Sequence, residues 1–340
     1  MVDKARLATR AAVRDCLADL PSNAVVLVAC SGGADSLALA EATAWVAPRA
    51  GLRAGAVVID HQLQPGSAEA ARAAATACAG LGLAPVETRV ITVVATGGGP
   101  ESDARQARYA AITEVAERLG AAVVLLGHNR DDQAQQVLMG LVRGSGTRSL
   151  AAIPPIRGRL RRPFLAISRA QTEAACAESG LTPWQDPHNE DARFLRVRAR
   201  SAMVRLEAEL GPGVVAALAR TAAQARIDAD YLDALGTHAY ANLGPPPWPI
   251  DALVALPLAV RTRVWRAGLI AQGAPAGALA ARHTDACERL ITHWHGQGPV
   301  QVPGPLSVAR RGGVIAIAPI AARADAAAPR GDAARPGAVQ

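Results

Sequence analysis

The apolar run Ala24-Val25-Val26-Leu27-Val28-Ala29 leads into Cys30-Ser31-Gly32-Gly33-Ala34-Asp35-Ser36, and Leu37, Ala40, Ala44 and Ala47 then recur at helical spacing. An unbroken apolar run of this kind marks a strand buried on both faces, whereas apolar residues every three or four positions mark a helix. The joint between them therefore lies at a strand's carboxyl end. Gly32 and Gly33 let the backbone approach a ligand closely, while Ser31, Ser36 and the unpaired N–H groups of the new helix offer donors to anionic oxygens. A polyphosphate suits such a loop. The plainer use of Asp35 or Ser36 is to cap the helix after a tight turn.

The same alternation continues along the chain. A second strand, Ala54 to Ile59, ends at Asp60-His61 before an Ala-rich helix from Ser67, and a third is expected between Val86 and Val94. Glycines 97 to 99 and Pro100 break the chain ahead of a helix from Glu101 to Leu119. A fourth strand, Ala122 to Leu126, ends at Gly127-His128 before a helix from Asp131. This order predicts an α/β fold: a mainly parallel, doubly wound sheet with ligands beyond the strand carboxyl ends. The first loop, Asp60-His61 and Gly127-His128 should gather there.

The pattern changes after Gly146. Pro154-Pro155 and the basic stretch Arg157 to Pro163 read as loop, a helix is expected over Ser168 to Ser179, and a long helix from Ala199 to Leu235. Beyond Gly244-Pro245-Pro246-Pro247 lies a smaller, mainly helical unit, with a short hairpin expected between Val300 and Ile320. These boundaries give a catalytic domain at 1–205, a helical linker at 206–243, a C-terminal domain at 244–323 and a tail at 324–340 predicted to be disordered.

Composition sets limits on function. At 340 residues, half of them apolar, the chain is long enough for two domains, yet no apolar run is long enough to cross a bilayer. A charged amphipathic N-terminus rather than a signal sequence points to the cytoplasm. Cys16, Cys30, Cys78, Cys176 and Cys287 are scattered without a Cys-x-x-Cys pair, which suits reduced thiols. The net charge of +7 favours a polyanionic partner, and because Lys4 is the only lysine nearly all the positive charge is guanidinium. Biased coding would produce the same Arg-rich surface without any such partner.

The pattern Ser-Gly-Gly-x-Asp-Ser differs from the Gly-x-x-x-x-Gly-Lys and Gly-x-Gly-x-x-Gly phosphate loops. It resembles the PP-loop of the N-type ATP pyrophosphatases, which implies cleavage of ATP between its α and β phosphates. Further segments narrow the resemblance: Asp60-His61-Gln62-Leu63, Glu101-x-x-Ala104-Arg105-x-x-Arg108-Tyr109, Gly127-His128-Asn129-Arg130-Asp131-Asp132-Gln133, Arg143-Gly144-Ser145-Gly146, Arg162-Pro163, Asp186-Pro187 with Asn189, and Arg196 with Arg200. Over residues 20 to 205 the chain resembles the tRNA(Ile)-lysidine synthase family.

That resemblance implies a reaction in which the wobble cytidine of the isoleucine tRNA with a CAU anticodon receives L-lysine at the expense of ATP. The cytosine C2 oxygen would attack the α-phosphate, and the lysine ε-amine would displace AMP at C2. It implies ATP contacts at Ser31, Gly32, Gly33, Ala34, Asp35, Ser36, Asp60, His61 and Gly127, with Mg²⁺ at Asp35 and Asp132. Catalytic roles fall to Asp35, Arg105, Arg108, His128 and Asp132.

Each residue has a plainer reading. Glu101 and Arg105 make an i,i+4 surface pair, His128 a capping or structural histidine, and Asp131 a helix N-cap. Arg157, Arg159, Arg161, Arg162, Arg196 and Arg200 are the expected tRNA backbone contacts, against the alternative of solvated arginines. The C-terminal unit would read the tRNA by shape, since aromatics amount to only 3% and offer no stacking platform. His283, Cys287, His293 and His295 match no zinc spacing.

The chain departs from the family at Gln135-Gln136, where Glu-Thr is usual, so a carboxylate is lost. Gln64, His188 and Val197 also differ, standing for Arg, a small hydroxyl residue and Asn. A PP-loop tRNA thiolase would need a sulfur-handling cysteine pair, which is not evident. An ATP-binding sensor of similar fold is the alternative outside catalysis. The oligomeric state, a homodimer included, is left open.

Overall fold

The computed structural model describes residues 3–62, 66–94, 99–144, 146–185, 193 and 195–320, without the side chains of Pro100 and Glu101. Leu63, Gln64, Ser145, the segment Asp186 to Asn189 and the 324–340 tail lie outside the described residues. The chain divides into two compact units, residues 1–229 and 230–340.

The first unit runs α1 (Lys4–Leu17), β1 (Val25–Cys30), α2 (Ala34–Arg49), β2 (Arg53–Asp60), α3 (Ser67–Gly80), β3 (Val86–Val90), α4 (Pro100–Arg118), β4 (Val123–Leu126), α5 (Arg130–Val142), α6 (Thr147–Leu150), β5 (Ile156–Arg157), β6 (Leu160–Arg161), α7 (Arg169–Glu178) and α8 (Leu195–Leu210). The sheet order is β3-β2-β1-β4-β6-β5. β1 lies parallel to β2, from Val25 opposite Arg53 to Cys30 opposite Val58, and to β4, from Val26 opposite Val123 to Ala29 opposite Leu126. Strand order therefore reverses between β1 and β4. Such a switch point splays the following loops apart and leaves a crevice at the carboxyl ends.

Alternation along β1 builds the two cores. Val26, Val28 and Cys30 join Leu17, Leu39, Cys78, Phe164 and Cys176 on one face, whereas Leu27 joins Val57, Ile112, Val115 and Val124 on the other. All of these are buried, which is why the strands read as unbroken apolar runs.

Two expectations change. The basic stretch at 157–163 is not plain loop: β5 and β6 pair antiparallel, and β6 adds to the sheet parallel to β4, with Val124 opposite Leu160. The long helix expected from Ala199 is broken, with α8 ending at Leu210 and α9 (Val214–Leu243) starting after Gly211-Pro212-Gly213. Both glycines there take left-handed φ values, 93° and 105°, which end a helix.

The C-terminal unit is mainly helical as expected, and its strands go beyond the expected hairpin. β7 (Trp248–Pro249), α10 (Ile250–Val254), α11 (Leu258–Ala271), α12 (Ala281–Thr292), β8 (Val300–Val302), β9 (Leu306–Arg311) and β10 (Val314–Pro319) include an antiparallel sheet of order β7-β10-β9-β8. The short apolar alternation of β9 and β10 was legible as a hairpin, but β7 and β8 carry too few residues to signal themselves. Trp248 and Trp265 are fully buried here, their rings meeting edge-on at 5.7 Å.

A buried ion pair pins α11 to α12. Arg261 Nε donates to both oxygens of Glu288 at 3.0 Å, its Nη1 donates to the Leu256 carbonyl at 2.8 Å, and Trp265 Nε1 donates to Glu288 Oε2 at 3.0 Å. Breaking such a pair strands a charge, whereas replacing both partners does not. Arg261→Ala should destabilise this unit by ~3 kcal/mol or more. The double change Arg261→Met with Glu288→Leu should recover much of that loss, measured by urea unfolding followed through tryptophan fluorescence.

Candidate active site

The phosphate-type loop turns sharply where β1 ends. Gly32 has φ +84°, a conformation that L side chains resist, and its carbonyl accepts the Trp184 N–H at 2.9 Å. The Ser36 hydroxyl accepts the Ser31 N–H at 3.1 Å and donates to the Gly33 carbonyl at 2.9 Å, so it braces the loop against the helix it opens. Gly33 is the helix N-cap and makes no side-chain cap. The Ser36 and Leu37 N–H groups donate to the Gly33 carbonyl at 3.1 and 3.0 Å, which leaves those of Ala34 and Asp35 for a ligand. Gly127 closes the crevice from β4: a Cβ there would lie 3.1–3.2 Å from the backbone of Asp35 and Ser36.

Asp35 does not cap its own helix. Its Oδ1 accepts from Asn129 Nδ2 at 2.8 Å and from the Thr172 hydroxyl at 2.5 Å. Its Oδ2 lies 3.4 Å from Arg169 Nη1, and Arg169 Nη2 lies 3.6 Å from Asp132 Oδ1. Asn129 caps α5 instead of Asp131, in a capping box: its Oδ1 accepts the Asp132 N–H, and Asp132 Oδ2 accepts the Asn129 N–H, each at 3.0 Å. Asp131 is thereby freed to accept the Arg169 N–H at 2.9 Å, joining the starts of α5 and α7. Burial raises the Asp132 carboxyl pKa, opposed by the Asn129 N–H and the Arg169 charge.

Asn129, Arg169 and Thr172 are the site residues missed from sequence. The available signal was Ser168-x-x-Gln171, a capping box that fixes the start of α7 and puts Arg169 and Thr172 in its first turn. Asp35, which all three touch, is 94 to 137 residues away.

Asp60 ends β2 nearby, buried, with its carboxylate accepting the Gln62 N–H at 3.0 Å, so it shapes the turn that carries His61. Gln135, where a carboxylate was expected, is buried and lines a small crevice with Asp132, Gln136, Met139, Ile153 and Arg196.

Cations surround His128. Its imidazole pKa is depressed to about 3, first by burial and then by the charges of Arg162, Arg105, Arg108 and Arg196, and its Nδ1 is buried without a hydrogen-bond partner. Arg105 donates to the Tyr109 hydroxyl at 3.2 Å, and the guanidinium groups of Arg105 and Arg108 lie 4.9 and 5.8 Å from that ring. Burial likewise lowers the pKa of Arg105, with Arg196, Arg108 and Arg162 repelling it.

The six arginines expected on RNA fall into different settings. Arg157 and Arg196 are exposed, and Arg159 is exposed while donating to the Ala121 carbonyl at 2.6 Å. Arg161 is committed to Asp19 and the Cys16 carbonyl. Arg162 is buried, donates to the Pro154 carbonyl at 2.9 Å and faces His128. Arg200 is half-buried among Arg169, Asp132 and Asp35, and burial lowers its pKa. All five cysteines are free, and Cys176 Sγ lies 3.2 Å from the Ala34 carbonyl.

Comparison with known proteins identifies the family. A family model described as a PP-loop domain matches residues 7–207, and one described as a TilS substrate binding domain matches residues 249–314. A tRNA(Ile)-lysidine synthase from Thermobifida fusca is 54% identical over 89% of this chain and 93% of its own length. Another from Streptomyces coelicolor is 50% identical over 88% and 86%. The chain belongs to the tRNA(Ile)-lysidine synthase family. It is a ligase of tRNA modification that uses ATP through its PP-loop domain. Among solved structures, the U34-tRNA thiolase NcsA of Methanococcus maripaludis shares the fold, with TM-score 0.53 and 20% identity over 64% of this chain and 77% of its own. Among the described residues, no helix of this tRNA(Ile)-lysidine synthase family member is long and apolar enough to cross a membrane.

The depressed imidazole has a consequence for stability. Between its ordinary pKa of 6.5 and about 3, the unfolded chain takes up a proton at His128 that the folded chain refuses, so stability falls as pH falls through that window. Wild type should lose more stability than His128→Gln between pH 7 and pH 4, by on the order of 3 kcal/mol in urea unfolding. Equal losses would mean the imidazole titrates normally.

Proposed function

We propose that this enzyme ligates L-lysine to C2 of the wobble cytidine of CAU-anticodon tRNA(Ile), through an adenylated cytidine, releasing pyrophosphate and AMP. The observation that carries this reading is the convergence of the PP-loop, a carboxylate pair and an arginine-ringed neutral imidazole at the β1/β4 crevice. In the first step the cytosine O2 forms a bond to the α-phosphorus of ATP as the bond to the bridging oxygen breaks and pyrophosphate departs. In the second, the neutral ε-amine of lysine bonds to C2, AMP leaves with O2, and the amine gives up a proton.

The residues match those demands. The Ala34 and Asp35 N–H groups and those of the loop glycines bind phosphate oxygens, and Arg105 and Arg108 stabilise charge developing on the α-phosphate. Lysine's ε-ammonium, with a pKa of ~10.4, must lose a proton before it attacks. His128 is neutral and has a buried nitrogen to spare, and the phosphates of bound nucleotide would cancel part of the field that now depresses its basicity, so we assign it the proton acceptor.

Mg²⁺ normally takes one or two carboxylates together with substrate phosphates and water. Asp35 and Asp132 fit that requirement: each has one oxygen tied by hydrogen bonds and turns the other to the same guanidinium. Bound there, the ion would neutralise charge on the phosphates. Exposed Arg157, Arg159 and Arg196 are assigned to the tRNA backbone, and the C-terminal unit to recognition of the tRNA body.

The test supplies ATP, Mg²⁺, labelled L-lysine and unmodified CAU-anticodon tRNA(Ile), with methionine tRNA of the same anticodon as control. Label should enter the isoleucine tRNA alone, and Asp35→Ala should reduce the rate by about 100-fold or more. Failure of folded wild-type protein to label either RNA would overturn the assignment.

A further inference from the structure

Arg169 stands where a metal ion would stand. Asp35 Oδ1 is taken by Asn129 and Thr172, and Asp132 Oδ2 by the Asn129 N–H; the two other oxygens, Asp35 Oδ2 and Asp132 Oδ1, both turn to the Arg169 guanidinium. One monovalent cation thus bridges the two carboxylates assigned above to Mg²⁺.

The bridge is loose. At 3.4 and 3.6 Å, both contacts exceed the 2.7–2.9 Å typical of charge-assisted hydrogen bonds. The structural pair Arg261–Glu288 in the other unit is hydrogen-bonded at 3.0 Å through Nε, and its arginine side chain is 10% exposed, against 29% for Arg169. Arg169 therefore neutralises the carboxylates without locking onto them, and it has solvent to withdraw into. Its backbone is fixed: its N–H is held by Asp131, and the Ser168–Gln171 capping box sets the start of α7. The side chain can swing from an anchored pivot.

Resting on the metal role proposed for Asp35 and Asp132, we infer that Arg169 is a displaceable counterion, a positioning residue that holds the carboxylate pair until nucleotide and a divalent cation arrive together. The guanidinium shields the pair from free metal, and its withdrawal presents two preset oxygens. Half-buried Arg200, on α8, faces the same carboxylates and adds to the shielding, so removing Arg169 weakens the positive field without abolishing it.

Mn²⁺ serves as the probe, its binding read by electron paramagnetic resonance on full-length protein without nucleotide. Arg169→Gln should bind Mn²⁺ more tightly than wild type by about tenfold, since a charge within 4 Å is removed from a partly solvated pair. Arg169→Lys should stay near wild type, and Asp35→Asn and Asp132→Asn should each weaken binding. Unchanged or weaker Mn²⁺ binding by folded Arg169→Gln, with the Asp variants still weakened, overturns the counterion and leaves the metal site standing. Mn²⁺ binding indifferent to Asp35→Asn and Asp132→Asn overturns the metal site and the counterion with it. A second readout needs no loss of the arginine charge. The ¹⁵Nε resonance of Arg169 in wild type, assigned by its loss in Arg169→Lys, should shift when Mg²⁺ and a non-hydrolysable ATP analogue are added together; an unmoved resonance overturns the displacement.

Discussion

One carboxylate, that of Asp35, holds the crevice together. It sits in the first turn of α2 and draws in the N-cap of α5 through Asn129 and the first turn of α7 through Thr172 and Arg169. Hydrogen bonds to a charged group contribute roughly 1.5–3 kcal/mol each, and leaving such a group buried and unpaired costs more than that. Three helix starts are therefore bound to one point, immediately beside the loop that would meet phosphate. A site that must place donors to within a fraction of an ångström gains from this because the loop cannot shift without breaking a partly buried charged network.

Around that point lie two charged clusters. Arg105, Arg108, Arg162 and Arg196 crowd a neutral His128, and Asp35, Asp131 and Asp132 share Arg169, with Arg196 lining a crevice beside Asp132 as well. Gathering guanidinium groups in a partly desolvated place raises the energy of the empty protein, and a polyanion lowers it again. The carboxylate side offers the complementary field to cations.

Departures from expectation trace to distance along the chain. Asp131 looked like the cap of α5, but Asn129 takes that place because it also satisfies Asp35, a partner 94 residues away. Arg161 and Arg162 looked like RNA contacts within one basic stretch, yet Arg161, the last residue of β6, goes to Asp19, and Arg162, just past the strand, goes toward His128. In the C-terminal unit the periodic apolar faces of α11 and α12 were legible, but β7 and β8, two and three residues long, were not, because they gain their identity only from neighbouring strands.

Short-range pattern was sufficient for the βα alternation, the PP-loop between β1 and α2, the gathering of strand ends and the family itself, because burial periodicity, glycine placement and motif spacing are properties of contiguous residues. It could not reveal that Asn129, Arg169 and Thr172 complete the site, that His128 is ringed by arginines, or that one guanidinium spans two carboxylates. Those are relations between segments far apart in sequence, set when the β1/β4 switch point and the packing of α7 bring them within hydrogen-bonding and Coulombic range.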